Sequence, residues 1–117
     1  MGIKVVYIDS GQMSTKINNI MQIYAIGTDN KQKIGFSKDP ESRLKQLQTG
    51  SAEVLYLHYT IDTSEDRVRL LERFLHKDIG YKRLKGEWFN MTKDEVVNYL
   101  IFAEITWVND ELLRYKL

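Results

Sequence analysis

Residues 22–50 read QIYAIGTDNKQKIGFSKDPESRLKQLQTG, and this stretch decides the fold. Its first half contains the turn-forming run Gly27–Asn30, in which glycine and asparagine tolerate positive φ. Apolar segments flank this run on both sides, a pattern that is typical of two antiparallel strands joined by a short turn. We therefore expect a β-hairpin with strands near residues 22–26 and 32–36.

The second half of the same stretch predicts a helix. Asp39 is a suitable N-cap, Pro40 fits the first helical position, and Glu41 complements the helix dipole. The helix is expected to end near Gly50, because glycine commonly follows the last helical residue. Two leucines of this helix are expected to face the core, Leu44 and Leu47.

Two longer elements are expected after this helix. Residues Val54–Ile61 predict a strand, because their alternation separates two faces. One predicted face carries Leu55, Leu57, Tyr59 and Ile61. The next helix is expected to start from a cap at 62–64 and to run to about Ile79. Its apolar stripe comprises Val68, Leu71, Phe74 and Leu75.

The segments that follow are shorter. We interpret Gly80–Gly86 as a basic loop and Glu87–Asn90 as a short strand or bend. Thr92, with Glu95 three residues later, predicts a capping box at the start of a last helix. The fold class expected from these elements is α+β, a small and mostly antiparallel sheet flanked by helices.

The chain is expected to have three parts. Residues 1–19 form an N-terminal part, with a strand predicted at Ile3–Ile8 and a linker after it. Residues 20–103 form the main domain, and residues 104–117 form a C-terminal extension. This extension has enough apolar side chains to cap the domain core or to meet a second subunit.

Composition excludes several classes of protein. With 117 residues, 43% hydrophobic and 28% charged, the chain is typical of a single globular domain and not of a disordered one. It contains no cysteine, so disulfides, zinc–thiolate sites and cysteine nucleophiles are excluded. No apolar run reaches the ~20 residues of a membrane-spanning helix, and no secretory signal is visible. We expect a cytoplasmic protein without a membrane partner.

The net charge of +1 averages over an uneven distribution. Residues 31–85 contain 12 basic and 8 acidic side chains, whereas residues 86–117 contain 3 basic and 6 acidic ones. A basic middle segment suits contact with phosphate groups, although a charged helix face in water explains the same pattern.

Several short motifs occur in a fixed order on this expected frame. They are Lys33-Ile34-Gly35, Asp39-Pro40 with Arg43, LQTG at 47–50, Glu72 with His76, and GEWF at 86–89. From about Gln22 to Leu100 this set resembles the GIY-YIG nuclease superfamily, in particular its phage-type branch. In that branch a lysine replaces the tyrosine of the second motif, as Lys33 does here. Gln22 stands where the first glycine of the family motif would be.

The resemblance implies a metal-dependent endonuclease that hydrolyses phosphodiester bonds. It points to DNA as the substrate more than to RNA. It implies that Tyr24 and Lys33 activate water, that Arg43 binds the phosphate, and that Glu87 is the single carboxylate on Mg²⁺ or Mn²⁺. Hard oxygen ligands of this kind suit both ions. His76 completes the candidate catalytic set. A further amide of the family falls at Asn90 or Asn98, and the sequence does not decide between them.

Elementary chemistry sets conditions on these roles. Tyr24 and Lys33 are expected on adjacent strands, where neighbours on one face come within ~5 Å and can share a water molecule. A lysine acts as a base only after losing its proton, and desolvation or a nearby cation such as Arg43 favours that loss.

Each candidate also has a plainer interpretation when it is taken singly. Tyr24 is compatible with a half-buried sheet aromatic, Lys33 with an exposed strand lysine, and Arg43 with a surface ion pair. Glu72 is interpreted as structural, whereas His76 fits a structural or a catalytic role. The order of the motifs favours the functional interpretation for the first three and for Glu87.

Basic side chains near the motifs are candidates for contact with the nucleic-acid backbone. They are Lys31, Lys38, Lys45, Lys82, Arg83 and Lys85. The alternative function is a module of the same fold that binds nucleic acid or a protein partner without effective catalysis. The sequence leaves open a homodimer or a larger complex.

Overall fold

The structure is a computed structural model, and it describes residues 20–109. The strand predicted at Ile3–Ile8, the linker after it and the final residues 110–117 lie outside the described residues.

Five strands and three helices make up this part of the chain. They are β1 (Ile20–Gly27), β2 (Gln32–Ser37), α1 (Pro40–Thr49), β3 (Tyr56–Ser64), α2 (Glu65–Asp78), β4 (Arg83–Lys85), β5 (Trp88–Phe89) and α3 (Lys93–Ala103). A 3₁₀ turn at Gly80–Lys82 precedes β4, and a π-helical turn at Glu104–Asn109 follows α3. The strands form one antiparallel sheet in the order β3-β1-β2-β5-β4. The predicted α+β class is confirmed.

The sheet separates two apolar cores. On one face, Tyr24 and Ile26 pack with Leu55 and with the leucines that α1 contributes. On the other face, Ile23 and Ile34 pack against α2 and α3 in the larger core. Helix α1 therefore covers one side of β1 and β2, while α2 and α3 cover the other.

The turn between β1 and β2 has the predicted position but a different physical basis. No residue other than glycine has positive φ within 20–109, so Asn30 does not use its tolerance for that conformation. Instead the Thr28 hydroxyl accepts hydrogen bonds from the backbone N–H groups of Asn30 and Lys31, at 3.2 and 3.3 Å. A Cβ at Gly27 would overlap the Lys31 carbonyl and the buried Gln32 side chain.

The faces predicted for the third strand are wrong in part, because the pairing of β1 with β3 contains a bulge. Ala25 pairs with Tyr59, but the next residue, Ile26, pairs with Leu57. The extra residue, His58, reverses the alternation. Leu55 and Leu57 consequently pack on the α1 side of the sheet, whereas Tyr59 and Ile61 pack on the other side. The strand also starts and ends later than Val54–Ile61.

Most of the predicted helix signals are confirmed. The Asp39 side chain accepts from the Ser42 N–H, and Pro40 is the first residue of α1. Thr92 and Glu95 form the predicted capping box of α3. Gly50 ends α1, although at φ −96° and not in a left-handed conformation. In the predicted stripe of α2, Phe74 is 44% exposed, because it lies at the rim of the core against Trp107.

The predicted basic loop Gly80–Gly86 is wrong, because its second half is strand β4. Strand β4 pairs with β5 although all three of its side chains are exposed, so no apolar pattern marks it in the sequence. Backbone pairing and a tight turn at Gly86 define it instead. Gly86 has φ +58° and is the one residue of the described segment with a left-handed backbone.

The tight packing at Gly27 gives a test of the hairpin. Gly27→Ala should lower the free energy of unfolding by about 1–3 kcal/mol, because the added methyl group meets backbone atoms that cannot move easily. Gly80→Ala is the matched control, since a Cβ there meets no atom within 4 Å. Urea unfolding of both variants measures the difference, and equal stabilities would contradict this explanation.

Candidate functional site

The centre of the candidate site is the close approach of Tyr24 to Gly35. These two residues are directly opposite each other on β1 and β2. A Cβ at Gly35 would lie 2.5 Å from the Tyr24 hydroxyl oxygen, so the phenol ring crosses β2 where no side chain exists. The glycine of the KIG motif is therefore required by the position of the tyrosine ring.

Arg43 reaches the same hydroxyl group from α1. Its Nε donates to the Tyr24 oxygen at 3.4 Å, and its terminal nitrogen donates to the Gln46 side chain at 3.1 Å. Burial raises the pKa of the Tyr24 phenol beyond that of an ordinary tyrosine, and Arg43 opposes part of that rise. The hydroxyl is therefore protonated at neutral pH. Its oxygen accepts from Arg43, and its own proton is available to a third group.

Lys33 lies on the same face of the sheet as Tyr24. It pairs with Ile26, so it is diagonal to Tyr24 and not directly opposite. Its Nζ is 3.1 Å from a Glu87 carboxylate oxygen and 5.8 Å from the centre of the Trp88 ring. The Lys33 side chain is 11% exposed and that of Glu87 is 43% exposed. The ammonium group is therefore largely enclosed, while the carboxylate faces solvent.

The GEWF motif forms the tip of the β4–β5 hairpin and positions Glu87. Gly86 takes the positive φ of the first turn position, which is the pattern of a type II′ turn. The Glu87 carbonyl accepts from the N–H of Ile34 at 3.3 Å. The backbone of Glu87 is thus held beside β2, and its carboxylate lies next to Lys33.

His76 belongs to helix α2 and contacts the outer edge of strand β2. Its Nε2 is 2.6 Å from the Ile34 carbonyl oxygen, and its ring packs edge-on against Phe89 at 5.1 Å. A carbonyl oxygen only accepts, so Nε2 carries the proton in this contact. Ile34 therefore donates its backbone N–H to Glu87 and accepts from His76 at its backbone C=O.

Glu72 lies one turn before His76 and is half-buried. Burial raises the pKa of its carboxyl group; His76 lowers it, Glu87 raises it and Lys33 lowers it. Its charge also raises the pKa of Tyr24. Glu72 therefore interacts electrostatically with the site residues, although its sequence context indicated a structural role.

The two asparagines differ in their position. Both are exposed. Asn90 directly follows β5, three residues after Glu87. Asn98 lies on α3, whose buried residues Val96 and Leu100 belong to the core on the opposite side of the sheet from Tyr24.

The six basic residues predicted to contact nucleic acid fall into two groups. Three are engaged within the protein: Lys31 pairs with Glu53 at 2.7 Å, Lys82 pairs with Glu95 at 3.6 Å, and Arg83 donates to the Gly86 carbonyl and lies over Phe89. The other three are exposed, and their side chains form no ion pair within residues 20–109. They are Lys38, Lys45 and Lys85. Lys85 pairs with Trp88 beside the Glu87 turn, and Lys38 immediately precedes the cap of α1.

The side chains of the site could hold a divalent cation through a single carboxylate. Within the described residues, no group of three or more histidine, aspartate or glutamate side chains is arranged to hold a metal ion. Glu87 alone offers a solvent-facing carboxylate at the site. Such a donor fits Mg²⁺ or Mn²⁺ if phosphate oxygens and water supply the other ligands.

Comparison with known proteins identifies the family. Residues 19–104 match the family model of the T5orf172 domain. The chain belongs to the T5orf172 domain family. This phage-associated domain is related to nuclease-like folds, which supports a role in nuclease action or nucleic-acid binding. No curated protein and no solved structure gave a match.

The T5orf172 match covers all the candidate residues named above, from Tyr24 to Asn98. Among the helices within 20–109, none has the length and apolar character to cross a bilayer. Sequence reasoning did not identify the contact of Gly35 with Tyr24 or the electrostatic role of Glu72. Two features of the sequence could have indicated them. One is the glycine expected opposite the motif tyrosine on the hairpin, and the other is the four-residue spacing of Glu72 from His76.

The contact between Arg43 and Tyr24 can be tested by titration. Arg43→Gln should shift the Tyr24 titration to higher pH, because it removes a cation that lowers the pKa of the phenol. The midpoint can be followed through the ¹³Cζ NMR signal of Tyr24. Arg73→Gln, on the exposed side of α2, is the control and should leave the midpoint unchanged. A shift to lower pH in Arg43→Gln would contradict the contact.

Proposed function

We propose that this T5orf172 domain is a metal-dependent endonuclease that cuts DNA. The observation that supports the proposal best is the placement of two pairs on one face of the hairpin. The first pair is Tyr24 with Arg43, and the second is Lys33 with Glu87. A phosphodiester placed between them would meet a hydroxyl donor, a guanidinium, an amine and a carboxylate.

Each of these groups has a chemical role in the proposed reaction. Tyr24 accepts from Arg43, and its own hydroxyl proton can still be donated, so it can orient the attacking water or a phosphate oxygen. Arg43 supplies further N–H donors for the charge that develops on the phosphate. Lys33, as the neutral amine, would accept the proton of the water.

Glu87 is the residue that would hold Mg²⁺ or Mn²⁺. A divalent ion there supplies charge stabilisation at the phosphate and at the leaving oxygen. The hairpin tip holds the carboxylate beside Lys33 and in contact with solvent, where a phosphate can approach it.

DNA would approach from the side of the exposed lysines nearest to the site. Lys38 and Lys85 lie in sequence next to the α1 cap and the Glu87 turn, and they form no ion pair within residues 20–109. Contacts of this kind to phosphates do not depend on sequence and weaken as salt rises.

One observation favours the alternative function, a module that binds nucleic acid without turnover. Lys33 and Glu87 are bonded to each other, so the proposed base and the proposed metal-holding residue occupy one ion pair. If this pair persists when DNA is bound, the domain would bind without cutting.

Plasmid nicking with Mg²⁺ or Mn²⁺ tests the catalytic proposal. Glu87→Gln and Lys33→Met should each reduce the nicking rate by at least about a hundredfold, the loss typical of removing a catalytic acid–base group. Glu65→Gln and Lys93→Met change exposed residues of the same types and are the controls. If wild-type protein cuts no form of DNA, or if the site variants cut as fast as the controls, the endonuclease proposal is wrong.

Affinity for DNA at different salt concentrations tests the proposed surface. Lys85→Ala should weaken binding to all sequences by a similar factor and should lower the slope of log K against log salt by about one. Lys93→Ala, on α3, is the control. An unchanged slope for Lys85→Ala would contradict the placement of DNA at the Glu87 turn.

A further inference from the structure

Strand β2 has an outer edge, on the side away from β1, that is open over most of its length. Strand β5 pairs with the first two residues of β2 alone, and no other strand within residues 20–109 pairs with the rest of this edge. Helix α2 lies along the open part. His76 donates to the Ile34 carbonyl oxygen, and the Arg69 guanidinium lies 5.3 Å from the centre of the Phe36 ring.

The candidate site borders the same edge from the other face of the sheet. The Tyr24 hydroxyl lies over Gly35, the residue between the two that α2 contacts. Lys38, an exposed lysine on the proposed side of DNA approach, follows Phe36 by two residues. DNA bound at the site would therefore lie next to the open edge, with α2 as the neighbouring element beyond it.

Helix α2 carries a basic stripe that the proposed function leaves without a role. Arg69, Arg73 and Lys77 are spaced by four residues, so they follow one another along one side of the helix. All three are exposed, and none of them forms an ion pair within residues 20–109. At about 1.5 Å per residue the stripe is ~12 Å long, which matches about three phosphates of one DNA strand.

The basic stripe begins at the open edge of β2. Arg69 belongs to the stripe and also contacts Phe36. Arg73 is four residues after Arg69 and three before His76, and residues at these spacings are neighbours on a helix surface. A DNA strand that crosses the edge would therefore meet Arg69 and Arg73 first, with Lys77 about one turn further along.

The connection to the site distinguishes this stripe from an ordinary solvated helix face. The Phe36 ring holds the Arg69 guanidinium at the edge, which lowers the entropy cost of binding a phosphate there. Arginine also binds phosphate through two parallel hydrogen bonds. Charge alone would attract an acidic protein as well, whereas the edge shared with the candidate site favours the DNA that the site would cut.

We propose that Arg69, Arg73 and Lys77 bind backbone phosphates of the DNA that occupies the candidate site. This inference rests on the proposed function. It extends the DNA-binding surface from the site face of the sheet, across the open edge of β2, to helix α2. The contacts are to phosphates, so they add affinity without sequence preference.

The salt dependence of DNA binding tests the basic stripe separately from cleavage. Binding of the full chain to a fluorescein-labelled duplex is measured by anisotropy in EDTA. Arg73→Gln should lower the slope of log K against log salt by about one, and Arg73→Gln combined with Lys77→Gln by about two. Lys93→Gln removes an exposed charge from α3 and is the control, with an unchanged slope expected.

Cross-linking tests the position of the DNA. The chain contains no cysteine, so a single introduced thiol takes a photo-cross-linker at one position only. Arg73→Cys and Lys93→Cys are each labelled and irradiated with the same duplex. We expect cross-links to DNA from position 73 and not from position 93.

The proposal is overturned if the double variant keeps the wild-type slope, which would leave the stripe to solvent or to an acidic partner. Equal cross-linking from positions 73 and 93, or a wild-type protein that binds no duplex at low salt, would also overturn it. Nicking with Mg²⁺ is measured on the same protein. The expected slope changes without any cutting would support this surface and contradict the endonuclease function alone.

Discussion

The absence of a side chain at Gly35 is the constraint on which the rest of the site depends. It allows the Tyr24 ring to lie across β2 and to be buried in the smaller core with Ile26 and Leu55. It also brings the hydroxyl group to the rim of that core, where Arg43 from α1 donates to it. The same tyrosine therefore contributes to the fold through its ring and to the site through its oxygen.

Strand β2 connects this contact to the carboxylate side of the site. The backbone N–H and C=O of Ile34, the residue before Gly35, bond Glu87 of the β4–β5 hairpin and His76 of α2. Strand β1, the β4–β5 hairpin and helix α2 thus all contact two adjacent residues of β2, Ile34 and Gly35. A shift in the register of β2 by one residue would move Lys33 and Gly35 to the other face of the sheet.

Local sequence signals predicted the elements that depend on local chemistry. The β1–β2 hairpin, the Asp39 cap with Pro40, and the capping box at Thr92 are all determined by residues a few positions apart. Strand β4 and the bulge opposite Ala25 were not predicted, because they depend on pairing between distant segments and leave no apolar pattern in the sequence.

The residues of the candidate site could be predicted from the sequence, but their arrangement could not. The resemblance of the motifs selected Tyr24, Lys33, Arg43 and Glu87, but it did not indicate that they are arranged as two bonded pairs. It also did not indicate that half of the predicted basic residues are engaged within the protein, since Lys31 and Lys82 meet their acidic partners only in the folded chain. The electrostatic coupling of Glu72 to Tyr24 and Lys33 likewise arises only in the folded chain.

The central claim is that these two pairs form one site for a phosphate and a divalent cation. A crystal structure with Mn²⁺ and a short DNA duplex, in which anomalous scattering locates the metal, tests it most directly. The account predicts Mn²⁺ on the Glu87 carboxylate, with a phosphate that also contacts Arg43 and Tyr24. Mn²⁺ or phosphate bound away from Glu87 and Arg43 would contradict it.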